Sequence, residues 1–161
     1  PNALMEALRE VGPLDHIIST AGRAEFIPLE QIEVTSLEQS PYYLGIIDKL
    51  MGQVNLALAA RTLLPPRGSI TLTSGTTSDE PIIGGSALSM VNGALEKWVM
   101  AAATEMPNGI RLNVVSPSLA AETPEPGLSA FPGFEPIPAH KMALAYQRSV
   151  ESLITGVTLK I

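Results

Sequence analysis

The sequence contains no cysteine. Disulfide bonds and thiolate catalysis are therefore excluded, and the composition fits a reducing compartment, so we expect a cytoplasmic protein. Ten basic residues stand against sixteen acidic ones, which gives a formal net charge of −6. Because no cluster of Lys and Arg could neutralise phosphate groups, neither nucleic acids nor anionic membrane surfaces are expected partners.

Metal ligands and long apolar segments are scarce as well. The two histidines, His16 and His140, lie far apart in the sequence, so no metal site is predicted. Polar or glycine residues interrupt every apolar run before it reaches the roughly 20 residues that a membrane-spanning helix needs. No signal peptide is visible. The chain begins at Pro1 rather than Met, and we expect further sequence before it.

The residues that are abundant are those of a folded core. Apolar residues make up 45% of the 161 residues and charged residues 16%, and this mixture is typical of a globular domain. We therefore predict a single domain over residues 1–161.

Helical and strand patterns alternate along the chain. Apolar residues that recur every three to four positions predict helices, and short β-branched runs predict strands. The predicted helices cover residues 2–11, 41–63, 86–106 and 138–152, and the predicted strands cover residues 14–20, 69–73, 111–116 and 157–161. This alternation is typical of right-handed βαβ units and of an α/β fold with a parallel sheet.

Small polar residues follow three of the predicted strands, in residues 19–22, 73–77 and 116–120. Ligands of open α/β sheets bind beyond the carboxyl ends of the strands. Small residues there let a ligand approach the backbone, so we expect the functional site at this edge.

Four segments at or near these strand ends resemble a known family. They are LDHIISTAG at 14–22, RGSITLTSG at 67–75, NGALEKWVMAAATEMPNGIRLNVVSPS at 92–118 and TGVTLKI at 155–161. In this order they resemble the short-chain dehydrogenase/reductase family across essentially the whole chain. The resemblance implies a Rossmann-like, doubly wound parallel sheet. It also implies NAD or NADP as cofactor, although the family's N-terminal βαβ portion, with its glycine-rich turn, is missing from this chain.

The family's chemistry uses a serine, a tyrosine and a lysine, and only the serine has a counterpart. Ser74 matches the serine that holds the substrate oxygen, although a turn serine bonded to its own backbone is the alternative. Leu88 stands at the tyrosine position, where we expect core packing. Asn92 stands at the lysine position, where it contacts a ribose hydroxyl or is simply a polar residue that faces a cleft.

The resemblance also implies cofactor contacts at the strand ends. The residues implied are Ser19, Ala21, Gly22, Asn92, Pro117, Ser118 and Ala120. The family's proton-relay asparagine would fall near Ile47 or Asp48 and is missing. We expect the neighbouring Lys49 to be solvated, although it could contribute charge. The threonine that grips the carboxamide is displaced to Thr123, with Glu122 in its place.

Other proton donors are less favoured by the sequence. Asp79 and Glu80 follow Ser74 and could include an acid of raised pKa, but we expect a solvated acidic turn. Histidine is a common proton donor in enzymes, yet no spacing pairs His140 with Ser74. The proline-rich segment 119–138 is either an apolar lid, with Leu128, Phe131 and Phe134, or a stiff surface loop.

Two functions remain open. The first is an atypical NAD(P)-dependent oxidoreductase that acts on the carbonyl or alcohol group of a small molecule. The second is a non-catalytic nucleotide-binding sensor or scaffold, which the absent tyrosine and lysine favour. The resemblance implies a homodimer or homotetramer formed through the helices at 41–63 and 86–106.

Overall fold

Four short strands form one parallel sheet in the computed structural model, which describes residues 2–161. The strands are β1 (His16–Ile18), β2 (Ser69–Thr73), β3 (Arg111–Ser116) and β4 (Thr158–Lys160). They lie in chain order, and Ile17 pairs with Ile70 in the register of β1 and β2. The predicted parallel α/β fold is confirmed, although β1 and β4 are shorter than the predicted segments.

Four helices connect or flank these strands. They are α1 (Asn2–Val11), α2 (residues 42–60), α3 (Ser86–Ala102) and α4 (Ala139–Glu151). Helix α2 has three parts, because the α-helical turn Tyr42–Leu44 leads into a π-helix over Gly45–Met51 and then into the α-helix Gly52–Ala60. The prediction of one regular helix over residues 41–63 is therefore wrong in its middle and at its end. No helix within residues 2–161 has the length and hydropathy of a membrane span.

The main core lies between the sheet and the pair α2 and α3. Ile70 and Leu72 of β2 and Leu112 and Val114 of β3 point to this face and are fully buried. They pack against Val54, Ala57, Leu95 and Val99. Side chains alternate between the two faces of a strand, so the intervening residues of β2 and β3 point to the opposite face.

The opposite face is covered by α4 and carries several polar side chains beside a small apolar cluster around Val115. Ser149 shares a hydrogen bond of 2.7 Å with Thr71 and accepts one of 3.2 Å from Asn113 Nδ2. The hydroxyl groups of Tyr146 and Thr73 are 2.9 Å apart. Helices therefore lie on both faces, which confirms the doubly wound, Rossmann-like arrangement.

The hand of the last crossover differs from the prediction. Each connection moves one place in the same direction along the sheet, but α2 and α3 cover one face and α4 covers the other. The connection through α4 consequently has the opposite hand to the other two, and not all three units are right-handed. Residues 119–137 form an excursion whose ends are joined by the bridge between Ala120 and Ile137, and it carries the chain to the second face before α4 begins.

Candidate functional site

A cavity of about 690 Å³ opens at the carboxyl ends of β2 and β3. This is the edge at which the small polar strand ends predicted a ligand site. The residues after the strands form its base: Ser74, Gly75, Thr76, Thr77, Pro117, Ser118 and Ala120. Leu88 and Asn92 of α3 form part of its wall.

Three residues singled out by the sequence therefore share one cavity. Ser74 follows β2 directly, while Leu88 and Asn92 lie four residues apart on the same side of α3. Leu88 is half-buried and lines the cavity instead of packing in the core, so the expectation of core packing was wrong, and it carries no proton that it can transfer. The roles of Ser74 and Asn92 stay predictions.

The hydroxyl of Ser74 is bonded to a carboxylate that the sequence analysis missed. Ser74 is only 2% exposed, and its Oγ donates to Glu96 Oε1 at 2.7 Å. Ser78 Oγ donates to the same oxygen at 2.8 Å. Glu96 lies four residues after Asn92 on α3, and this spacing is the signal that could have found it. In this arrangement Ser74 can accept a hydrogen bond, but its own proton is engaged.

Asn92 is held by the loop after β2. Its Nδ2 donates to Thr77 Oγ1 at 2.9 Å, and a Cβ added to Gly75 would come within 3.0 Å of the same nitrogen. Its Oδ1 is buried and has no hydrogen-bond partner among the described residues. An unpartnered buried acceptor is costly, so the wall of the cavity holds one unsatisfied acceptor.

The expectation that Lys49 is solvated was wrong, because Lys49 is partly buried in the lining of the cavity. It is the only charged side chain that lines the cavity among residues 2–161, and its Nζ donates to the carbonyl oxygen of Ser74 at 3.0 Å. Burial disfavours the ammonium form and lowers the pKa of Lys49 to about 8. The cavity therefore contains one cation, placed beside the residue predicted to hold the substrate.

The local backbone explains why Lys49 points inward. Lys49 lies in the π-helical part of α2, and a π-turn changes the direction of side chains relative to a regular α-helix. The amide of Gln53 donates to the carbonyl oxygens of Lys49 at 3.2 Å and Thr73 at 2.9 Å, which ties this turn to β2. Gly22 passes closely over the helix with φ of +131°, and an added Cβ would be 2.7 Å from Lys49 Cα.

Comparison with known proteins identifies the family. A family model described as enoyl-(acyl carrier protein) reductase matches residues 2–151. The short-chain dehydrogenase/reductase ATR9 of Stachybotrys chlorohalonatus is 32% identical over 106 residues, which are 66% of this chain and 40% of that protein. The chain belongs to the short-chain dehydrogenase/reductase family. The match spans only about two fifths of this curated relative.

Solved structures of similar proteins agree over a larger part of their length. A protein from Listeria innocua is 37% identical with a TM-score of 0.91, and the match covers 99% of this chain and 78% of that one. A small-chain dehydrogenase in complex with NADPH is 26% identical with a TM-score of 0.81, and the match covers 99% of this chain and 77% of that one. This short-chain dehydrogenase/reductase domain therefore has close structural counterparts that extend beyond it.

The predicted cofactor residues of this family member divide into two groups. Asn92, Pro117, Ser118 and Ala120 line the cavity. Ser19, Ala21 and Gly22 follow β1 and are not in its lining. Ser19 is buried and its carbonyl oxygen accepts from Thr73 Oγ1 at 2.6 Å. A cofactor role for these residues stays a prediction.

The alternative proton donors lie elsewhere. Asp79 pairs with Lys160 at 3.0 Å on the surface, and the hydrogen bond from Lys160 lowers the pKa of Asp79, so this carboxyl is not an acid of raised pKa. His140 is exposed at the start of α4. Tyr146 bonds Thr73 on the polar sheet face, and burial raises its pKa. No tyrosine within residues 2–161 lines the cavity.

Aromatic rings cover part of the opening. Phe26, from the segment after β1, and Phe131, from the segment after β3, both line the cavity with ring centres 6.4 Å apart. Phe134 meets Phe131 edge to face at 5.4 Å. The structure thus favours the lid interpretation of residues 119–138. Glu122 accepts from the backbone nitrogen of Ala139 at 3.1 Å at the N-terminus of α4, while Thr123 lines the cavity.

Proposed function

We propose that the protein is an NAD- or NADP-dependent oxidoreductase that acts on the carbonyl or alcohol group of a small molecule. The observation that carries this proposal is the cavity at the carboxyl ends of β2 and β3, with Ser74 at its base. Family membership supports it, as does a relative whose structure contains NADPH. The cytoplasm is the location we propose, on the absence of cysteine.

The residues of the cavity fit the nicotinamide and ribose end of such a cofactor. Asn92 lines the cavity, and a rotation of its side chain would bring its unpartnered Oδ1, which is buried in this structure, to a ribose hydroxyl. Pro117, Ser118 and Ala120 present small side chains and backbone where a flat ring could lie. Ser19, Ala21 and Gly22 would contact the cofactor outside the cavity. When bound, the nicotinamide supplies or accepts the hydride.

The walls also suggest the substrate. Phe26, Phe131, Leu88 and Leu119 give the cavity a mainly apolar lining, which favours a substrate with an apolar body. Ser74 positions the substrate oxygen at the carboxyl end of β2. Because the proton of Ser74 is donated to Glu96, the hydroxyl can accept a hydrogen bond from an alcohol substrate as it stands, whereas it can donate to a carbonyl oxygen only after it turns away from Glu96.

The test is nucleotide binding by the full-length protein. A ligand that binds only the folded state raises the melting temperature, so we expect at least one of NAD, NADH, NADP and NADPH to do so. A panel of aldehydes and ketones with the reduced cofactor should then show turnover. No shift with any of the four nucleotides would overturn the proposal. Lys141→Gln, an exposed substitution at the start of α4, should show the same nucleotide-induced shifts as the wild type.

A second candidate is a non-catalytic nucleotide-binding sensor or scaffold. Leu88 at the tyrosine position and the engagement of Ser74 with Glu96 favour it, because both remove a proton donor from the cavity. The same experiment separates the two candidates. A nucleotide-induced shift without turnover on any carbonyl or alcohol would support the sensor.

A further inference from the structure

The cavity needs a source of protons if it reduces a carbonyl. Addition of hydride to the carbonyl carbon leaves charge on the oxygen, which must take up a proton. Leu88 cannot provide one, and the proton of Ser74 is held by Glu96 at 2.7 Å. Within residues 2–161 neither a tyrosine nor a histidine lines the cavity.

The ammonium group of Lys49 can donate protons, and Lys49 lines the cavity beside Ser74. An ammonium group has three N–H donors, and one of them is used on the carbonyl oxygen of Ser74 at 3.0 Å. No other described protein group accepts from Nζ, so two donors remain for the cavity that Lys49 lines. A substrate oxygen held beside Ser74 would lie next to them.

No described carboxylate neutralises this ammonium. Asp48, its neighbour on α2, accepts from the backbone nitrogen of Arg23 at 2.7 Å and pairs with its side chain at 3.6 Å. Glu96 on α3 is occupied by Ser74 and Ser78. Desolvation is the cause that lowers the pKa of Lys49 to about 8, and an acid with a pKa near the working pH is suited to proton transfer.

We propose that Lys49 is the proton donor of this site and has the role that the resemblance assigns to a tyrosine in the family. This role rests on the proposed function. With a hydride supplied by bound reduced nicotinamide for the new C–H bond, one N–H bond of Lys49 would break and its proton would pass to the carbonyl oxygen, leaving oxidised nicotinamide. The products are the alcohol and a neutral amine, which then takes a proton from water. In alcohol oxidation, the neutral amine accepts the hydroxyl proton.

The first test does not depend on activity. The side-chain nitrogen and carbon resonances of lysine can be followed by NMR from pH 6 to 11, with Lys49→Gln to assign the signal of Lys49. We expect the Lys49 amine to titrate near pH 8, well below the ordinary lysine value of about 10.4. A midpoint for Lys49 above pH 10 would overturn the proposal.

The second test uses two substitutions in the full-length protein. Lys49→Gln removes the transferable proton, and Lys49→Arg keeps the charge but has a pKa too high to release a proton. Both should lower turnover by roughly 10²- to 10⁴-fold, the usual contribution of a general acid. Nucleotide affinity, measured by fluorescence titration, should change less than about threefold, since a proton donor to substrate is not a cofactor anchor. Lys141→Gln should match the wild type in both measurements.

The pH profile completes the comparison. Wild-type reduction should decline as the pH rises through about 8, because the ammonium is lost, and neither Lys49 variant should show this decline. Full activity in either variant, or equal loss of nucleotide affinity and turnover, would refute the role of Lys49 as proton donor. Failure of the proposed function would differ, since the wild type itself would then bind no nucleotide; the proposed role of Lys49 would fall with it.

Discussion

The carboxylate of Glu96 accepts the hydroxyl proton of Ser74 and so limits the hydrogen bonds that this serine can donate. Ser74 and Ser78 both donate to Glu96 Oε1, but only Ser74 lines the cavity. Ser74→Ala should therefore lower turnover at least about 100-fold, as expected for loss of a group that acts on the transition state, while nucleotide affinity is kept. Steady-state kinetics and fluorescence titration measure the two effects.

Ser78→Ala is the matched control for Ser74. It removes a hydrogen bond to the same carboxylate oxygen and should lower the free energy of unfolding by about 1 kcal/mol. Its turnover should stay close to that of the wild type. Equal losses of turnover in both variants would show that activity depends on the hydrogen bonds to Glu96 and not on contact between Ser74 and the substrate.

Lys49 should also make stability depend on pH. Its pKa falls from 10.5 to about 8 in the folded protein, so between these values the unfolded chain binds more protons and the free energy of unfolding rises with pH. The burial cost is fully present below pH 8 and absent above pH 10.5. It amounts to about 3.5 kcal/mol at most, at about 1.4 kcal/mol per pKa unit over the shift from 10.5 to about 8.

Lys49→Met tests this cost of burial. The substitution removes the cost but also loses the hydrogen bond to Ser74, worth about 1 kcal/mol. A net gain of about 1–2 kcal/mol in the free energy of unfolding is therefore expected at pH 7. Urea unfolding at pH 7 and near pH 10.5 measures it. The gain should vanish at the higher pH, and a pH-independent loss would contradict the buried ammonium.

The sequence located some residues of the site better than others. Ser74, Leu88 and Asn92 could be placed at one cavity because family motifs and helical spacing define their positions. The environment of Lys49 could not be predicted, because no sequence pattern indicates the π-helical turn that directs its side chain inward. The bond between Ser74 and Glu96 depends on how α3 packs beside β2, which only the folded chain defines.

Among the elements, the π-helical part of α2 depends on one buried amide. Gln53 is 1% exposed; it donates to the carbonyl oxygens of Lys49 and Thr73 and accepts from the backbone nitrogen of Thr73 at 2.8 Å. Gln53→Leu would leave these backbone groups buried without partners, so the free energy of unfolding should fall by roughly 3 kcal/mol. Chemical denaturation measures this loss.

An exposed glutamine provides the control for Gln53. Gln147 bonds Glu151 at 3.1 Å on the surface of α4, and Gln147→Ala should change the free energy of unfolding by less than about 0.5 kcal/mol. The Gln53 variant should also alter the titration of Lys49, because the amide fixes the turn that carries it. An unchanged Lys49 midpoint would mean that the π-helix forms without Gln53.

The aromatic cover is the second element with a testable role. Phe131 contacts Phe26 and Phe134 and lines the cavity. Phe131→Ala should raise KM for apolar carbonyl substrates by about tenfold, because about 1–2 kcal/mol of apolar contact is lost, with a smaller effect on kcat. Leu153→Ala, at an 86% exposed position, is the control. An unchanged KM across apolar substrates would show that the rings do not contact the substrate.

At the scale of the whole molecule, alternation of elements was enough to predict the parallel sheet and the edge at which the cavity opens, but not the side on which α4 packs. The polar face made by Thr71, Thr73 and Asn113 becomes visible only when β2 and β3 are in register. Its hydrogen bonds to α4, together with the long excursion at 119–137, reverse the hand of the last crossover. Such pairings between distant residues are not encoded in local periodicity.

The surface of α2 and α3 leads to the last prediction, which concerns assembly. Several large apolar side chains there are substantially exposed: Ile47, Met51, Leu58, Met90 and Met100. Exposed apolar side chains on neighbouring helices mark an interaction surface, and self-association through one shared surface gives a symmetric dimer. We expect the wild type to sediment as a dimer or tetramer, and a Met51→Glu/Met90→Glu variant to have a lower mass. Leu153→Glu places one such charge at an exposed apolar position just after α4, so it should leave the mass unchanged. A monomeric wild type, or an equal response to both changes, would mean that these helices do not form the interface.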